Sequence, residues 1–240
     1  MRYDWDWSVV VTDPYRGWLL SGLMLTLLVS IASWIIALVL GSVIGVMRTV
    51  ENRPMRAFAA AYVELFRNIP LLVQIFLFYF VLPEVVPTPV GIWLKRGLPH
   101  AEFWVSVVSL GLYTACRVAE QVKAGINAAG RGQMNAGLAT GLTRIQVYRF
   151  ILLPIAFRTT VPAMTSEFLN VFKNSSLALT IGVLELTART RQVSEYTYHS
   201  LESFAAASAI YIVISFIVVT FMRRVEDWAK VQGTLAAEAR

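Results

Sequence analysis

The stretch WLLSGLMLTLLVSIASWIIALVLGSVIGV, residues 18–46, decides the fold class because it contains no charged residue. A helix rises about 1.5 Å per residue, so about 20 apolar residues cross a hydrocarbon layer about 30 Å thick. The stretch is long enough to do so, and Arg48 follows it closely. It is also too long for the apolar core of a cleaved signal peptide. We therefore predict a membrane-spanning helix that remains in the protein.

The composition agrees with an integral membrane protein of one domain. Of the 240 residues, 57% are hydrophobic and 15% are charged, and the mean hydropathy is +0.60. The net charge is +6, but the basic residues lie at the ends of apolar runs, so we expect membrane lipid and no nucleic acid as a partner. The lone Cys116 and the isolated His100 and His199 predict neither an internal disulfide nor a metal site.

Five apolar regions predict an all-α membrane domain over residues 18–222. The spans are expected near residues 18–46, 58–82, 103–126, 155–179 and 204–222. Lys and Arg are more numerous on one side, which by the positive-inside rule places segment 1–17 outside and tail 223–240 inside the cell. Pro70 should bend the second region or restart its helix. Whether residues 56–68 lie along the inner interface, with the span beginning near Ile69, stays open.

Small side chains recur every four residues in the first span. Ser33, Ala37, Gly41 and Gly45 share one helical stripe. Such a stripe lets a second helix approach closely in lipid, where burial of apolar area alone gives little drive for association. The alternative is that small residues are simply common in spanning helices.

The segment QMNAGLATGLTRIQVYRFILLP, residues 133–154, is less apolar and connects the third and fourth spans. We expect a short helix that ends at Gly141 in a positive-φ conformation. Thr143 and Gln146 have the spacing of a capping box, so a second helix should begin there and be interrupted at Pro154. Its predicted apolar face consists of Ile145, Tyr148, Ile151 and Leu152.

Two interpretations of this segment are open from its residues alone. It could be an amphipathic helix that lies on the membrane. It could instead be a rigid knob onto which another protein docks, since small residues would admit a partner's backbone. The small residues in question are Ala136, Gly137, Ala139 and Gly141.

The same segment resembles the cytoplasmic E-A-A loop of ABC importer permeases. The places of that pattern are occupied here, at the same spacing, by Asn135, Ala136, Gly137, Gly141, Ile151, Leu153 and Pro154. Residues 62–80, 117–126 and 172–186 also resemble the branch of the family that imports polar amino acids. The stretches GQMNAGLATGLT and FKNSSLALTIGVLELT are most similar to glutamate/aspartate importer permeases.

The resemblance implies that the loop docks a short coupling helix into a cleft of a cytoplasmic ATP-binding subunit, of which the complex contains two. ATP and magnesium would be used there, with no cofactor bound by this chain, and the chain would not be an enzyme. A second permease subunit, a paralogue, and a periplasmic amino-acid-binding protein would complete the assembly in the bacterial inner membrane. The implied coupling residues are Gln133, Asn135, Ala136, Gly137, Gly141, Leu142, Arg144 and Pro154.

Two positions of the loop depart from the family pattern. Asn135 stands where the family usually has an acidic residue, and Gly137 stands where it has alanine. Losing the carboxylate removes one charge-assisted contact with the ATPase subunit. A paired permease subunit that retains the acid would fit a heterodimer.

Polar side chains within the third and fourth spans predict a path for substrate. The candidates are Tyr113, Arg117, Glu120, Glu167, Asn170 and Lys173. Ionisable groups in lipid usually face a bundle interior or a water-filled path. Glu120 lies three residues from both Arg117 and Lys123, so local ion pairs could form. The alternative is that these are buried pairs that fix helix packing, whereas the functional interpretation gives Arg117 a substrate carboxylate to bind.

The predicted function is the permease subunit of an ATP-driven importer that carries glutamate and aspartate by alternating access. Permeases for glutamine or basic amino acids share most of these motifs. A secondary carrier, or a membrane scaffold without transport, is the alternative from other classes. The sequence contains no phosphate-binding loop or catalytic motif, so energy must come from a partner.

Overall fold

The computed structural model describes residues 3–229, without the side chains of residues 131, 228 and 229. Residues 1, 2 and 230–240, which include most of the predicted tail, lie outside the described residues. Within 3–229 the chain is helical and contains no strand. The helices are α1 (Tyr15–Met47), α2 (Arg53–Asn68), α3 (Leu71–Phe76), α4 (Leu82–Val85), α5 (Thr88–Ile92), α6 (Ala101–Ala139), α7 (Arg144–Val147), α8 (Leu153–Asn174), α9 (Leu186–Thr197) and α10 (Ser200–Ala229).

The short helices are joined by other helical turns. π-Helical turns occupy Leu77–Val81, Trp93–Gly97 and Tyr148–Leu152, and 3-10 turns occupy Trp7–Val10 and Ser175–Ile181. Helices α1 and α10 are each long and apolar enough to cross a membrane. A third span results if α2 and the run Leu71–Val85 are counted together. The all-α class is confirmed, and two or three spans are clear from length and composition.

The second apolar region is not one straight helix over 58–82, since α2 and the run Leu71–Val85 are bent by 102° at the break between them. Helix α2 ends at Asn68, and α3 begins at Leu71, directly after Pro70. Proline lacks the N–H that would continue the helix, so the predicted restart is confirmed. Gln74 then donates to the carbonyl oxygens of Phe66 and Ile69, each at 2.8 Å, which satisfies groups left unpaired at the end of α2.

Helices α1 and α6 form the centre of the bundle and run in the same direction. A Cβ on Gly41 would lie 2.6 Å from the Val118 Cβ, and one on Gly45 would lie 2.7 Å from the Val122 Cβ. The whole predicted stripe of α1 is buried. The stripe is thus a helix-packing surface inside this chain, as small residues in lipid-embedded helices often are.

Helix α8 packs against α6 in the opposite direction. A Cβ on Gly125 would lie 2.8 Å from the Ala156 carbonyl oxygen, while Val171 and Leu110 belong to one core cluster nearer the start of α1. We call the two ends of the bundle the Tyr15 end, where α1 begins, and the Met47 end, where α1 finishes.

Pro154 does not interrupt the second helix, which corrects the prediction. Helix α7, the π turn and α8 form one helical run from residue 144 to 174. In the π turn the Leu153 N–H donates to the Tyr148 carbonyl, and Pro154 follows at the second position of α8. The wider turn accommodates a residue that has no N–H to donate.

Candidate functional site

The coupling segment, residues 133–154, begins within the last part of α6. Gly130 interrupts that helix with φ 77° and ψ 158°, a backbone conformation that is essentially limited to glycine. The chain then resumes its helix up to Ala139. Gly130 was not predicted from sequence, although two glycines in the run AAGRGQ mark the position.

A tight turn joins the two helices of the segment. Gly141 has φ +86°, and the Leu142 N–H donates to the Gly137 carbonyl at 3.3 Å. Thr143 and Gln146 form a capping box: the Thr143 N–H donates to Gln146 Oε1 at 2.8 Å, and the Gln146 N–H donates to Thr143 Oγ1 at 3.3 Å. The predicted positive φ and the capping box are both confirmed.

Most predicted coupling residues are accessible. The exposed ones are Gln133, Asn135, Ala136, Gly141 and Arg144, whereas Leu142 and Pro154 are half-buried. Gly137 is buried, and a Cβ there would lie 2.8 Å from Val147 Cγ2. Gly137 therefore admits the segment's own second helix, not a partner's backbone as predicted.

The apolar face of the second helix differs from the predicted one. Val147 and Leu152 are buried, and Tyr148 and Ile151 are half-buried. Ile145 is 80% exposed at the tip of the segment. The π turn shifts the helical register, so that Val147 rather than Ile145 aligns with the positions that face the bundle. The exposed Ile145 is available to another protein.

The turn between α1 and α2 holds the coupling segment. The Tyr148 hydroxyl contacts the carbonyl oxygen and the hydroxyl of Thr49 at 3.1 and 3.2 Å, and Arg144 forms an ion pair with Glu51. Between the turn and the segment lies a cavity of about 840 Å³, which we call the lower cavity. Its lining includes Thr49, Glu51, Ile126, Asn127, Gly130, Asn135 and Tyr148.

A second cavity of about 350 Å³, the polar cavity, contains four of the six predicted pathway residues. These are Tyr113, Arg117, Glu120 and Glu167, and the lining also includes Arg67, Cys116 and Gln121. Arg67 is not among the six predicted pathway residues. The 102° bend brings α2 against α6, where the Tyr62 hydroxyl donates to the Leu112 carbonyl at 2.9 Å.

Arg117 lies at the centre of the polar cavity. Its Nη2 donates to the Tyr113 hydroxyl at 3.1 Å, and its Nη1 lies 3.8 Å from Glu167 Oε1. The Glu167 Oε2 atom is buried and has no hydrogen-bond partner among the described residues. The Arg117 side chain is 46% exposed, so part of its guanidinium fork is accessible. A cation and a carboxylate at one cavity can together bind a zwitterion.

Glu120 does not form the predicted pairs with Arg117 and Lys123 in its own helix. It forms an ion pair with Arg48 at the end of α1, while Arg117 reaches Glu167 on α8. The parallel packing of α1 on α6 brings Arg48 beside Glu120, and such a pairing between helices has no signature in local spacing. The structure therefore replaces a pairing within one helix by two pairings between helices.

The remaining two pathway candidates lie elsewhere. Lys173 lines a third cavity of about 450 Å³ together with Tyr211, Ser215 and Arg223 of α10. Asn170 is half-buried on α8 and is not among the described residues that line either the polar cavity or this third one. The structure thus does not gather all six candidates into one site.

A family model described as "Binding-protein-dependent transport system inner membrane component" matches residues 37–231. The chain is 43% identical over 246 residues to the glutamate/aspartate import permease protein GltJ of Escherichia coli strain K12, covering 99% of this chain and 100% of that one. It is 30% identical to the glutamate/aspartate import permease protein GltK of E. coli O6:H1, covering 92% of this chain and 98% of that one. It is 34% identical to the arginine transport system permease protein ArtQ of Bacillus subtilis, covering 90% and 94%.

Solved structures share the fold. The crystal structure of an amino acid ABC transporter with histidines has a TM-score of 0.78 and 28% identity, covering 94% of this chain and 99% of that chain. An inward-facing structure of the MetNI methionine ABC transporter has a TM-score of 0.72 at 19% identity, covering 92% of this chain and 100% of that chain, and supports the fold alone.

Proposed function

The chain belongs to the family of binding-protein-dependent transport system inner membrane components, and from that premise we propose that it carries glutamate and aspartate into the cell. It is the membrane subunit of an ABC importer and is not itself catalytic, since the ATPase is a separate subunit. The single observation that carries the choice of substrate is the 43% identity to GltJ over the full length of both chains.

The chemistry of the polar cavity supports an acidic amino acid as its ligand. Arg67 and Arg117 both line the cavity, so two guanidinium groups are available for two carboxylates. The carboxylate of Glu167, which also lines the cavity, offers an acceptor for the ammonium group of the same molecule. Lys173 would contribute at another stage of passage, from the α10 side of α8, and Asn170 stays a pathway prediction on the same helix.

For the membrane topology we propose five spans with the N-terminus outside and the C-terminus inside. Helices α1 and α10 and the bent pair of α2 with Leu71–Val85 supply three, and α6 and α8 supply the other two. The Met47 end is then cytoplasmic. The basic residues Arg48, Arg53, Arg56, Arg144 and Arg149 near that end support this orientation. This topology gives an outer segment at residues 1–17, a membrane domain at residues 18–222 and an inner tail at residues 223–240.

The partners proposed for the chain follow from the coupling segment. The complex would contain two cytoplasmic ATP-binding subunits, which use ATP and magnesium, and one of them would dock on the exposed tip of this segment. A second permease subunit would complete the path, and similarity to both GltJ and GltK supports a paralogue in a heterodimer. A periplasmic amino-acid-binding protein would deliver the substrate. The assembly would lie in the bacterial inner membrane.

Import of basic amino acids is the second candidate, supported by the 34% identity to ArtQ. The deciding experiment is uptake of radiolabelled glutamate by proteoliposomes that contain the full assembly, with unlabelled glutamate, aspartate, glutamine and arginine as competitors. We expect ATP-dependent uptake in which glutamate and aspartate compete best. Stronger competition by arginine or glutamine would reject the acidic substrate, and uptake by the chain alone without ATP would indicate a secondary carrier.

A further inference from the structure

The α1–α2 turn, residues 48–52, contacts both parts of the candidate site within four consecutive residues. Arg48 forms an ion pair with Glu120, which lines the polar cavity. Thr49 accepts a hydrogen bond from Tyr148, and Glu51 forms an ion pair with Arg144, both in the coupling segment. One short turn therefore connects the segment proposed to dock on the ATPase with the cavity proposed to hold the substrate.

The Arg48–Glu120 pair lies where the polar cavity ends. Along α6, Tyr113, Arg117 and Glu120 line the polar cavity, whereas Ile126 and Asn127 line the lower cavity. Thr49, the neighbour of Arg48, also lines the lower cavity. The pair thus stands between the two cavities, on the side of the Met47 end.

The arginine of the pair is shielded from water, whereas the glutamate is only partly buried. The Arg48 side chain is 12% exposed and the Glu120 side chain is 34% exposed. Separating the pair leaves the largely desolvated guanidinium of Arg48 without compensation, which is costly unless a new partner or water reaches it. Such a pair favours two discrete arrangements over intermediate ones. In one the two side chains form the ion pair, and in the other they are apart and hydrated.

The same displacement would reach the other wall of the polar cavity. Arg144 and Tyr148 belong to the helical run 144–174, and that run also carries Glu167, the partner of Arg117. A shift of the coupling segment therefore moves the α1–α2 turn through two side-chain contacts and Glu167 through the helix itself.

We propose that the Arg48–Glu120 pair closes the polar cavity toward the cytoplasm, and that the α1–α2 turn separates the pair when the coupling segment moves. The inference rests on the proposed function, because it assigns an inner gate to an importer driven through this segment. Thr49, Glu51, Arg144 and Tyr148 are positioning residues in it. Coupling between the turn and the pair is measurable directly, as import per ATP hydrolysed and as non-additivity between variants.

The test uses the full assembly in proteoliposomes and measures amino acid imported per ATP hydrolysed. Glu120→Gln removes the charge at nearly constant shape, and we expect this ratio to fall at least threefold while hydrolysis continues. The exchange Arg48→Glu with Glu120→Arg restores an ion pair and should return the ratio to within twofold of the unaltered value. Lys95→Gln breaks the exposed Glu84–Lys95 pair and is the matched control.

A double-mutant cycle tests the connection through the turn. Tyr148→Phe removes the hydrogen bonds to Thr49 and should lower the same ratio. The quantity compared is the logarithm of the amount imported per ATP. If the turn transmits the movement, this logarithm falls less in the combined variant Tyr148→Phe with Glu120→Gln than the sum of its falls in the two single variants. In the control combination of Tyr148→Phe with Lys95→Gln, the two single effects should simply add. Additive losses in the first combination would overturn transmission through the turn.

Failure of this inference is distinguishable from failure of the proposed function. If the unaltered assembly imports no acidic amino acid with ATP, the proposed function is wrong. If it does import and Glu120→Gln keeps the unaltered ratio, only the inner gate is rejected. Membrane abundance of each variant is measured by immunoblot. Should the exchanged pair fail to assemble, Glu120→Gln and the double-mutant cycle decide the question.

Discussion

Gly41 of α1 lies so close to α6 that a Cβ on it would come within 2.7 Å of the Ala115 carbonyl oxygen, on the turn just before Arg117. The distance is shorter than any ordinary carbon–oxygen contact, so the two backbones are in direct apposition. Helix α6 carries Arg117 and Glu120, and the stripe of α1 therefore fixes the depth and rotation of both charged groups. A packing feature of α1 thus positions the α6 wall of the polar cavity.

Gly41→Ala should destabilise the protein by about 1–3 kcal/mol, because the added methyl group overpacks a contact with backbone atoms that cannot yield. Gly17→Ala is the matched control in the same helix, since a Cβ there meets nothing within 4 Å. It should be neutral or stabilising by up to about 1 kcal/mol. Thermal unfolding of the purified assembly in detergent measures both, and equal midpoints would contradict the packing argument.

Gly141→Ala should uncouple import from ATP hydrolysis while leaving membrane insertion intact. Its φ of +86° is unfavourable for alanine, with a strain of about 1–2 kcal/mol that distorts the tip of the coupling segment. Gly182→Ala imposes comparable strain at φ +97° outside that segment. It should lower thermal stability similarly yet keep the amount imported per ATP. Identical ratios in the two variants would remove Gly141 from the coupling role.

Ile145→Ser should weaken association with the ATPase subunit by about tenfold or more, since a buried isoleucine side chain contributes about 1.5–3 kcal/mol. Ile145 is 80% exposed in this chain and lies at the tip of the segment. Co-purification of a tagged ATPase subunit over a range of concentrations measures the effect. Val85→Ser, at an exposed position outside the segment, should leave the affinity unchanged. Unaltered affinity in Ile145→Ser would place the ATPase contact elsewhere.

Arg117→Lys should raise the apparent KM for glutamate about tenfold, because lysine keeps the charge but lacks the planar fork that binds a carboxylate through two hydrogen bonds. Arg117→Gln should raise it further, since the charge is lost as well. Initial rates of uptake at varied glutamate concentration give the values. Arg191→Gln, which breaks an exposed ion pair within α9, is the control. An unaltered KM in both Arg117 variants would exclude it as a substrate ligand.

The features that could be predicted from sequence are those set by neighbours along the chain. Pro70 restarts a helix because it lacks an N–H, and Gly141 adopts positive φ because it lacks a Cβ. The capping box of Thr143 and Gln146 depends on a spacing of three residues. The small-residue stripe of α1 could likewise be predicted from the helical period alone. Each of these was confirmed without knowledge of the tertiary structure.

The features that could not be predicted depend on contacts between distant segments. Arg48 and Glu120 are 72 positions apart, and the local spacing of Glu120 suggested nearer partners. The assignment of Ile145 to the apolar face was wrong because the π turn changes the helical period after Val147. Gly137 was assigned to a partner's surface because sequence does not show that Val147 already occupies the space beside it. In each case tertiary packing overrode a local pattern.

The backbone at Gly130 has a consequence for the genetics of this chain. With φ 77° and ψ 158°, and with open space around the position of a Cβ, the residue is constrained by its backbone and not by its neighbours. Every missense change that one base substitution can produce from a glycine codon introduces a side chain that disfavours this conformation. Codon 130 should therefore tolerate synonymous substitutions and little else, even though no neighbouring atom would touch the new side chain.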